Sequence, residues 1–259
     1  MKTKRKKVDK KRKRPIIVAA PYIILAIIVL IWELAVAVFK IPPTVFPSLS
    51  AIVIETIKNF PTNIAYHFWI TLRTAGLGML VSVPLGILLA AVISQFKPLT
   101  YGTTPIILVL VVTPLITLVP LFMLWLGFDY QPRYIVVAVS VTPIILLNTL
   151  HGFLQVPQKY RELMRGYGAS KLQTFVKVIF PNALPQVFTG IELGGIISTV
   201  ATTSIEMVAG TPGLGYRVMY FSRLLQTDLV FGTIFCIAII GVALYSVAAF
   251  AANKVVHWQ

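Results

Sequence analysis

Residues 157–181 read PQKYRELMRGYGASKLQTFVKVIFP, a polar stretch set between two long apolar runs. After Pro157, a favourable first helical residue, Tyr160, Leu163, Met164 and Tyr167 recur at i, i+3, i+4 and i+7. Lys159, Arg161, Glu162 and Arg165 take the other face, so the spacing predicts a short amphipathic helix that ends at Gly166 and Gly168. Ser170 with Gln173 three residues on is a capping-box pattern. Leu172, Phe175, Val176 and Ile179 then repeat the stripe, and Pro181 is expected to stop the second helix. Such a pair of helices either lies flat on a membrane surface or projects as a docking knob for a cytoplasmic partner. Periodicity leaves both open.

The rest of the chain decides what this stretch interrupts. Of 259 residues, 57% are hydrophobic and only 12% charged, with a mean hydropathy of +0.85, against about 25% charged in soluble domains. Spanning a bilayer takes about 20 apolar residues. Runs of that kind lie at about 16–39, 66–94, 101–126, 134–150, 184–209 and 229–252, which predicts six transmembrane helices in an all-α membrane protein. The first run is too long for the apolar part of a signal peptide, typically about 7–15 residues, and is read as a retained span. Prolines 84, 105, 114, 120 and 143 fall inside the second to fourth runs, where they either kink packed helices or bend the bundle around a pathway.

The formal charge of +15 suggests nucleic acid until its position is considered. Residues 1–14 hold ten Lys and Arg and one acid, Asp9. This basic tail, taken as residues 1–15, precedes a transmembrane domain over 16–259 whose polar connection covers 151–182. With the N-terminus inside, 17 Lys and Arg fall on the cytoplasmic side and 5 outside, so both termini are expected in the cytoplasm. The tail is a topology signal that touches anionic lipid, and no nucleic-acid partner is expected. Cys236 is the sole cysteine, and His67, His151 and His257 are scattered, so neither a metal site nor a catalytic set is expected.

The polar connection resembles the loop signature of permease subunits of binding-protein-dependent ABC importers: Glu-Ala-Ala, three residues, Gly, nine residues, Ile, one residue, Leu-Pro. Glu162, Gly168, Val178 and Phe180-Pro181 stand in that frame, with Leu163-Met164 in place of the two alanines. Further stretches are similar to the taurine, alkanesulfonate and nitrate branch: Ile41-Pro42-Pro43, Thr71-Leu72-Arg73, Val83-Pro84-Leu85-Gly86, Leu146 to Gly152, Gly213-Leu214-Gly215-Tyr216 and Thr227 to Phe231. The resemblance implies the type I (MetI-like) importer fold with cytoplasmic coupling helices, in a bacterial inner membrane. It also implies a second permease copy, two cytoplasmic ATPase subunits and an extracytoplasmic solute-binding protein. ATP and Mg would be bound by the ATPase, since this chain has no Gly-x-x-x-x-Gly-Lys-Ser/Thr loop. The solute would be a sulfonate-like or nitrate-like anion or a vitamin precursor.

The same resemblance makes Glu162, Arg165, Tyr167, Gly168 and Ala169 the candidates for coupling to the ATPase, and Gly213, Gly215 and Tyr216 an outer gate region. Ionisable groups inside spans are functional candidates on physical grounds, because charge in a bilayer is costly. Arg73 is expected either to attract an anionic solute or to pair with a Glu. Glu206, with Ser198, Thr199, Thr202 and Thr203, makes a polar stripe expected to line the pathway. Glu33 and Glu192 are expected to serve structure, and Asp228 or Thr227 to cap the sixth span. The rival reading is a stand-alone ion-coupled transporter or channel, for which the halves offer no convincing repeat.

Overall fold

The computed structural model describes residues 15–127 and 130–257, so most of the basic tail lies outside the described residues. Every element described is helical: α1 (Pro15–Phe39), α2 (Leu49–Asn59), α3 (Ala65–Ser94), α4 (Lys97–Val112), α5 (Leu115–Leu126), α6 (Tyr130–Gln155), α7 (Gln158–Gly166), α8 (Lys171–Thr174), α9 (Phe180–Ala209), α10 (Leu214–Arg223) and α11 (Thr227–Val255). Five stretches are long and apolar enough to cross a membrane, six if α4 and α5 together make one broken span.

The third apolar run, expected as one span, is those two helices meeting at 99°. The cause is Thr113-Pro114. A residue before proline is pushed out of the helical region, and Thr113 is extended at φ −64°, ψ 122°. Pro105 and Pro120 sit inside helices that continue.

The second correction concerns Pro181. It does not stop the second amphipathic helix: α8 passes through a π-turn at Phe175–Ile179 directly into α9. There the Phe180 N–H donates to the Phe175 carbonyl five residues back, and the wider turn accommodates a proline in the first turn of α9, where no donor is required. Residues 171–209 are thus one continuous helical rod of 39 residues.

The bundle is built on α6 between α3 and α9. Lipid tails give apolar helices no hydrophobic reason to associate, so packing rests on close van der Waals approach at small residues. A Cβ on Gly86 would lie 2.8 Å from Ile145 Cγ2, and one on Gly152 2.8 Å from Gln186 Cβ. Gly190 and Gly194 face Ile145 as well, while Gly195 sets α9 against Leu244 of α11 at 3.1 Å. Ile145 is fully buried where these surfaces meet. By contrast α1 is almost wholly uncovered. It is anchored at its end, where Trp32 Nε1 donates to the Pro47 carbonyl at 3.0 Å and stacks on Phe46. Glu33 accepts the Ser50 N–H at 2.6 Å, so its carboxylate sits at the N-terminus of α2, a structural role as expected. Gln226 occupies the N-cap position of α11 without a side-chain bond, Asp228 in the first turn accepts the Leu229 N–H at 2.8 Å, and the Thr227 hydroxyl donates to the Thr44 carbonyl at 2.6 Å.

Gly86→Leu should therefore destabilise the purified protein by about 1–3 kcal/mol through overpacking, read as a lower melting temperature in detergent. Gly76→Ala, on the same helix but with nothing within 4 Å of the new Cβ, should leave the melting temperature unchanged or raise it.

Candidate functional site

Two constructions stand at opposite ends of the bundle. At one end α6 turns into α7. The Arg161 guanidinium donates to the Phe153 carbonyl at 2.8 Å, clamping α7 to the last turns of α6. Phe153 in turn packs edge-on against Phe175 at 5.1 Å, which ties in the π-turn. Helix α7 closes with a Schellman motif: Ala169 N–H donates to the Met164 carbonyl at 3.0 Å and Gly168 N–H to the Arg165 carbonyl at 2.9 Å. The motif needs a left-handed residue, and Gly168 supplies it at φ +72°. The expected capping box is present, with the Ser170 hydroxyl accepting from Gln173 N–H and the Gln173 side chain accepting from Ser170 N–H.

What this scaffold carries is exposed. Helix α7 has no buried residue. Leu163 and Tyr167 on its apolar stripe are uncovered, Tyr167 to 80%. Glu162 is exposed and accepts from Gln158 Nε2 at 2.7 Å; Arg165 and Gly168 are exposed beside it and Ala169 half-buried. All five residues expected to couple lie on or beside one short helix tied to α6 by Arg161.

At the other end, the turn between α9 and α10 is bound to α3. Glu206, on the last turns of α9, is fully buried. Its carboxylate accepts the Thr71 hydroxyl at 2.8 and 2.9 Å and the Gly215 N–H at 2.9 Å. Thr71 Oγ1 also accepts the Leu214 N–H at 2.8 Å, and His67 Nδ1 accepts the Gly213 N–H at 2.9 Å. Leu214 and Gly215 open α10, so acceptor oxygens of Thr71 and Glu206 meet the free N–H groups of its first turn. A Cβ on Gly213 or Gly215 would run into Glu206 itself or the Thr203 carbonyl. Arg133 donates to the Pro212 carbonyl at 3.2 Å. Arg217 reaches Asn63 through the backbone carbonyl at 2.8 Å and the side-chain oxygen at 3.1 Å. Tyr216 stacks on His67 with centroids 6.0 Å apart.

This arrangement changes the reading of the polar stripe. Ser198, Thr199, Thr202 and Thr203 are buried within the subunit, and their hydroxyls donate to carbonyls one turn back on α9. Within the single subunit they lie on the packing face of the rod, with Thr199 also at the edge of a pocket of about 390 Å³ between α9 and α11. Periodicity marks a face, but the small hydroxyls that would suit a pathway suit close helix packing equally. Glu206 is a structural anchor for the turn. Arg73 belongs to neither construction and faces outward from α3. Thr71 and His67 carried no site assignment in the sequence; beside the charged Arg73, the neutral Thr71 gave no signal except its place in the Thr71-Leu72-Arg73 motif.

Residues 82–257 match the family described as binding-protein-dependent transport system inner membrane component. The formylaminopyrimidine transport permease protein ThiX of Halalkalibacterium halodurans is 26% identical, over 92% of this chain and 95% of that protein. The nitrate import permease protein NrtB of Synechocystis is 28% identical over 75% of this chain and 70% of its own length. Among solved structures, the inward-facing MetNI methionine ABC transporter superposes with a TM-score of 0.60 at 18% identity, covering 75% of this chain and 94% of that one. That likeness concerns the fold.

Thr71→Val keeps the shape but removes the hydroxyl that joins Glu206 to the start of α10. The lost bond and the unsatisfied Leu214 N–H should cost about 1–3 kcal/mol. The expected readout is a lower melting temperature, together with faster proteolysis at residues 210–213 than in the parent protein.

Proposed function

The chain belongs to the binding-protein-dependent transport system inner membrane components, and we propose that α7 and Gly168 dock on a cytoplasmic ATPase while the α9–α10 turn faces the solute-binding protein. This is a permease subunit of an ABC importer with the type I fold. The observation that supports the docking reading is the mounting of α7. An exposed apolar stripe with Tyr167 and Leu163 at its tip is tied to α6 by Arg161 on Phe153, and its C-terminal end is closed by the Schellman turn at Gly168. A knob that transmits force to spans must be exposed and must not yield. A helix merely resting on lipid requires no such bracing.

On this reading Glu162, Arg165, Tyr167, Gly168 and Ala169 meet the ATPase, and its closure on nucleotide moves α6 and α9 together. Gly213, Gly215 and Tyr216 form the outer gate region, with Glu206 holding its geometry. A second copy of the chain completes the pathway, both termini are cytoplasmic and the membrane is a bacterial inner membrane. The chain itself hydrolyses nothing. The solute is a small sulfonate-like or nitrate-like anion or a heterocyclic vitamin precursor, the classes to which the resemblance and the related permeases point. Selection among them rests with the binding protein.

Gly168→Val tests the coupling. A side chain, here β-branched, in the left-handed conformation costs roughly 1–2 kcal/mol, and nothing lies within 4 Å of the new Cβ, so the turn reshapes without disturbing the bundle. In the reconstituted complex, stimulation of ATP hydrolysis by the loaded binding protein should fall at least tenfold, a change of about 1.4 kcal/mol in the barrier. Insertion and melting temperature should stay unchanged. Retained stimulation overturns the assignment.

A further inference from the structure

Arg73 is a charged side chain inside a membrane span that neither end of the bundle uses. Among the described residues it has no hydrogen-bond or ion-pair partner, and it is exposed. It lies on a groove of about 720 Å³ between α3, α9 and α11. Apart from Arg73 every lining residue is apolar, with Gly76, Leu80 and Pro84 on one wall and Phe188, Leu244 and Val247 on the others. The groove therefore offers one cation at the head of a greasy channel.

Depth and neighbours identify what fits. Helix α3 has 30 residues and is about 45 Å long, against about 30 Å for the hydrocarbon core. Centred on that core, it places Arg73, about 12 Å along from Ala65, some 5 Å inside the boundary, where a long cationic side chain snorkels to the interface. One and two turns toward the helix end on the same stripe are Trp69 and Tyr66, exposed to 65% and 64%. Exposed Trp and Tyr mark the headgroup level of a lipid-facing surface. The stripe thus passes from aromatic belt through a single arginine to the apolar Gly76, Leu80 and Pro84, matching a phospholipid from headgroup to chain.

We propose that this groove holds one anionic phospholipid, its phosphodiester on the Arg73 guanidinium and one acyl chain along Gly76 and Leu80, in the leaflet on the side of the α9–α10 turn. On this proposal Arg73 serves lipid and not the solute. The bound lipid fills the seam between α3 and α11, two helices that touch mainly through α9.

The test places the photoreactive residue p-benzoylphenylalanine at position 80 in the full permease, assembled with its ATPase subunits in vesicles of equal phosphatidylglycerol and phosphatidylcholine. Mass spectrometry of the photolysed chain identifies what is captured. Phosphatidylglycerol adducts should exceed phosphatidylcholine adducts about fivefold, the preference one uncompensated cation gives. Arg73→Gln should bring the ratio to about one and Arg73→Lys should keep most of it, with assembly with the ATPase intact in both. Equal capture of the two lipids by the parent, or an unchanged ratio in Arg73→Gln, overturns the proposal. So does loss of lipid capture on adding millimolar methanesulfonate or nitrate, which would make the groove a solute site.

Discussion

Three helices approach so closely that side chains are excluded at the crossings, and the rest of the molecule is built on that contact. Ile145 of α6 lies where Gly86 of α3 and Gly190 and Gly194 of α9 leave space for it. In lipid, such contact replaces the hydrophobic drive that would hold a soluble core, and interdigitated surfaces of this kind do not deform continuously. The triad therefore behaves as one body, with both polar constructions attached to its ends. Helix α7 is clamped to α6, while the α9–α10 turn is bonded to α3 and α9.

The continuity of residues 171–209 gives this body a lever. Had Pro181 ended a separate helix, a joint would separate the Gly168 turn from the bundle. Because a π-turn carries the chain past the proline, the capping box at Ser170 and the carboxylate at Glu206 lie on one rod. At 1.5 Å per residue the rod spans about 58 Å, more than the hydrocarbon thickness. The broken third span is the opposite case. Thr113-Pro114 turns the chain by 99° and leaves α4 largely exposed beside the rigid triad. The prolines thus serve two purposes, passage and bend, and the residue type alone does not distinguish them.

That ambiguity shows where reading the sequence reaches its end. Signals local to a few residues were legible: the amphipathic stripe of α7, the Ser170 capping box and the left-handed glycine at 168 depend on neighbours within one turn. The spans followed from composition, and the order of family motifs pointed to the fold. Pro114 and Pro181 look alike in sequence because the difference lies in whether the local ladder can widen. The stripe from Ser198 to Glu206 has helical spacing whether it faces water or a neighbouring helix, and only the tertiary partners decide. Thr71 lies 135 residues from Glu206, and nothing in the intervening sequence marks the pair.

The two ends handle polar groups by opposite means, and this follows from what each must do. The α9–α10 turn has to expose backbone N–H groups where a helix begins, at a depth where water is scarce and an unpaired group costs about 1–3 kcal/mol. Glu206, Thr71 and His67 meet that need with three acceptors, and a Cβ is excluded at 213 by the Glu206 side chain and at 215 by the Thr203 carbonyl. Around α7 the logic reverses. The backbone is closed by its own caps, and the side chains of Tyr167 and Leu163 are left without partners inside the chain. One end is closed by hydrogen bonds inside the chain; the other presents exposed side chains.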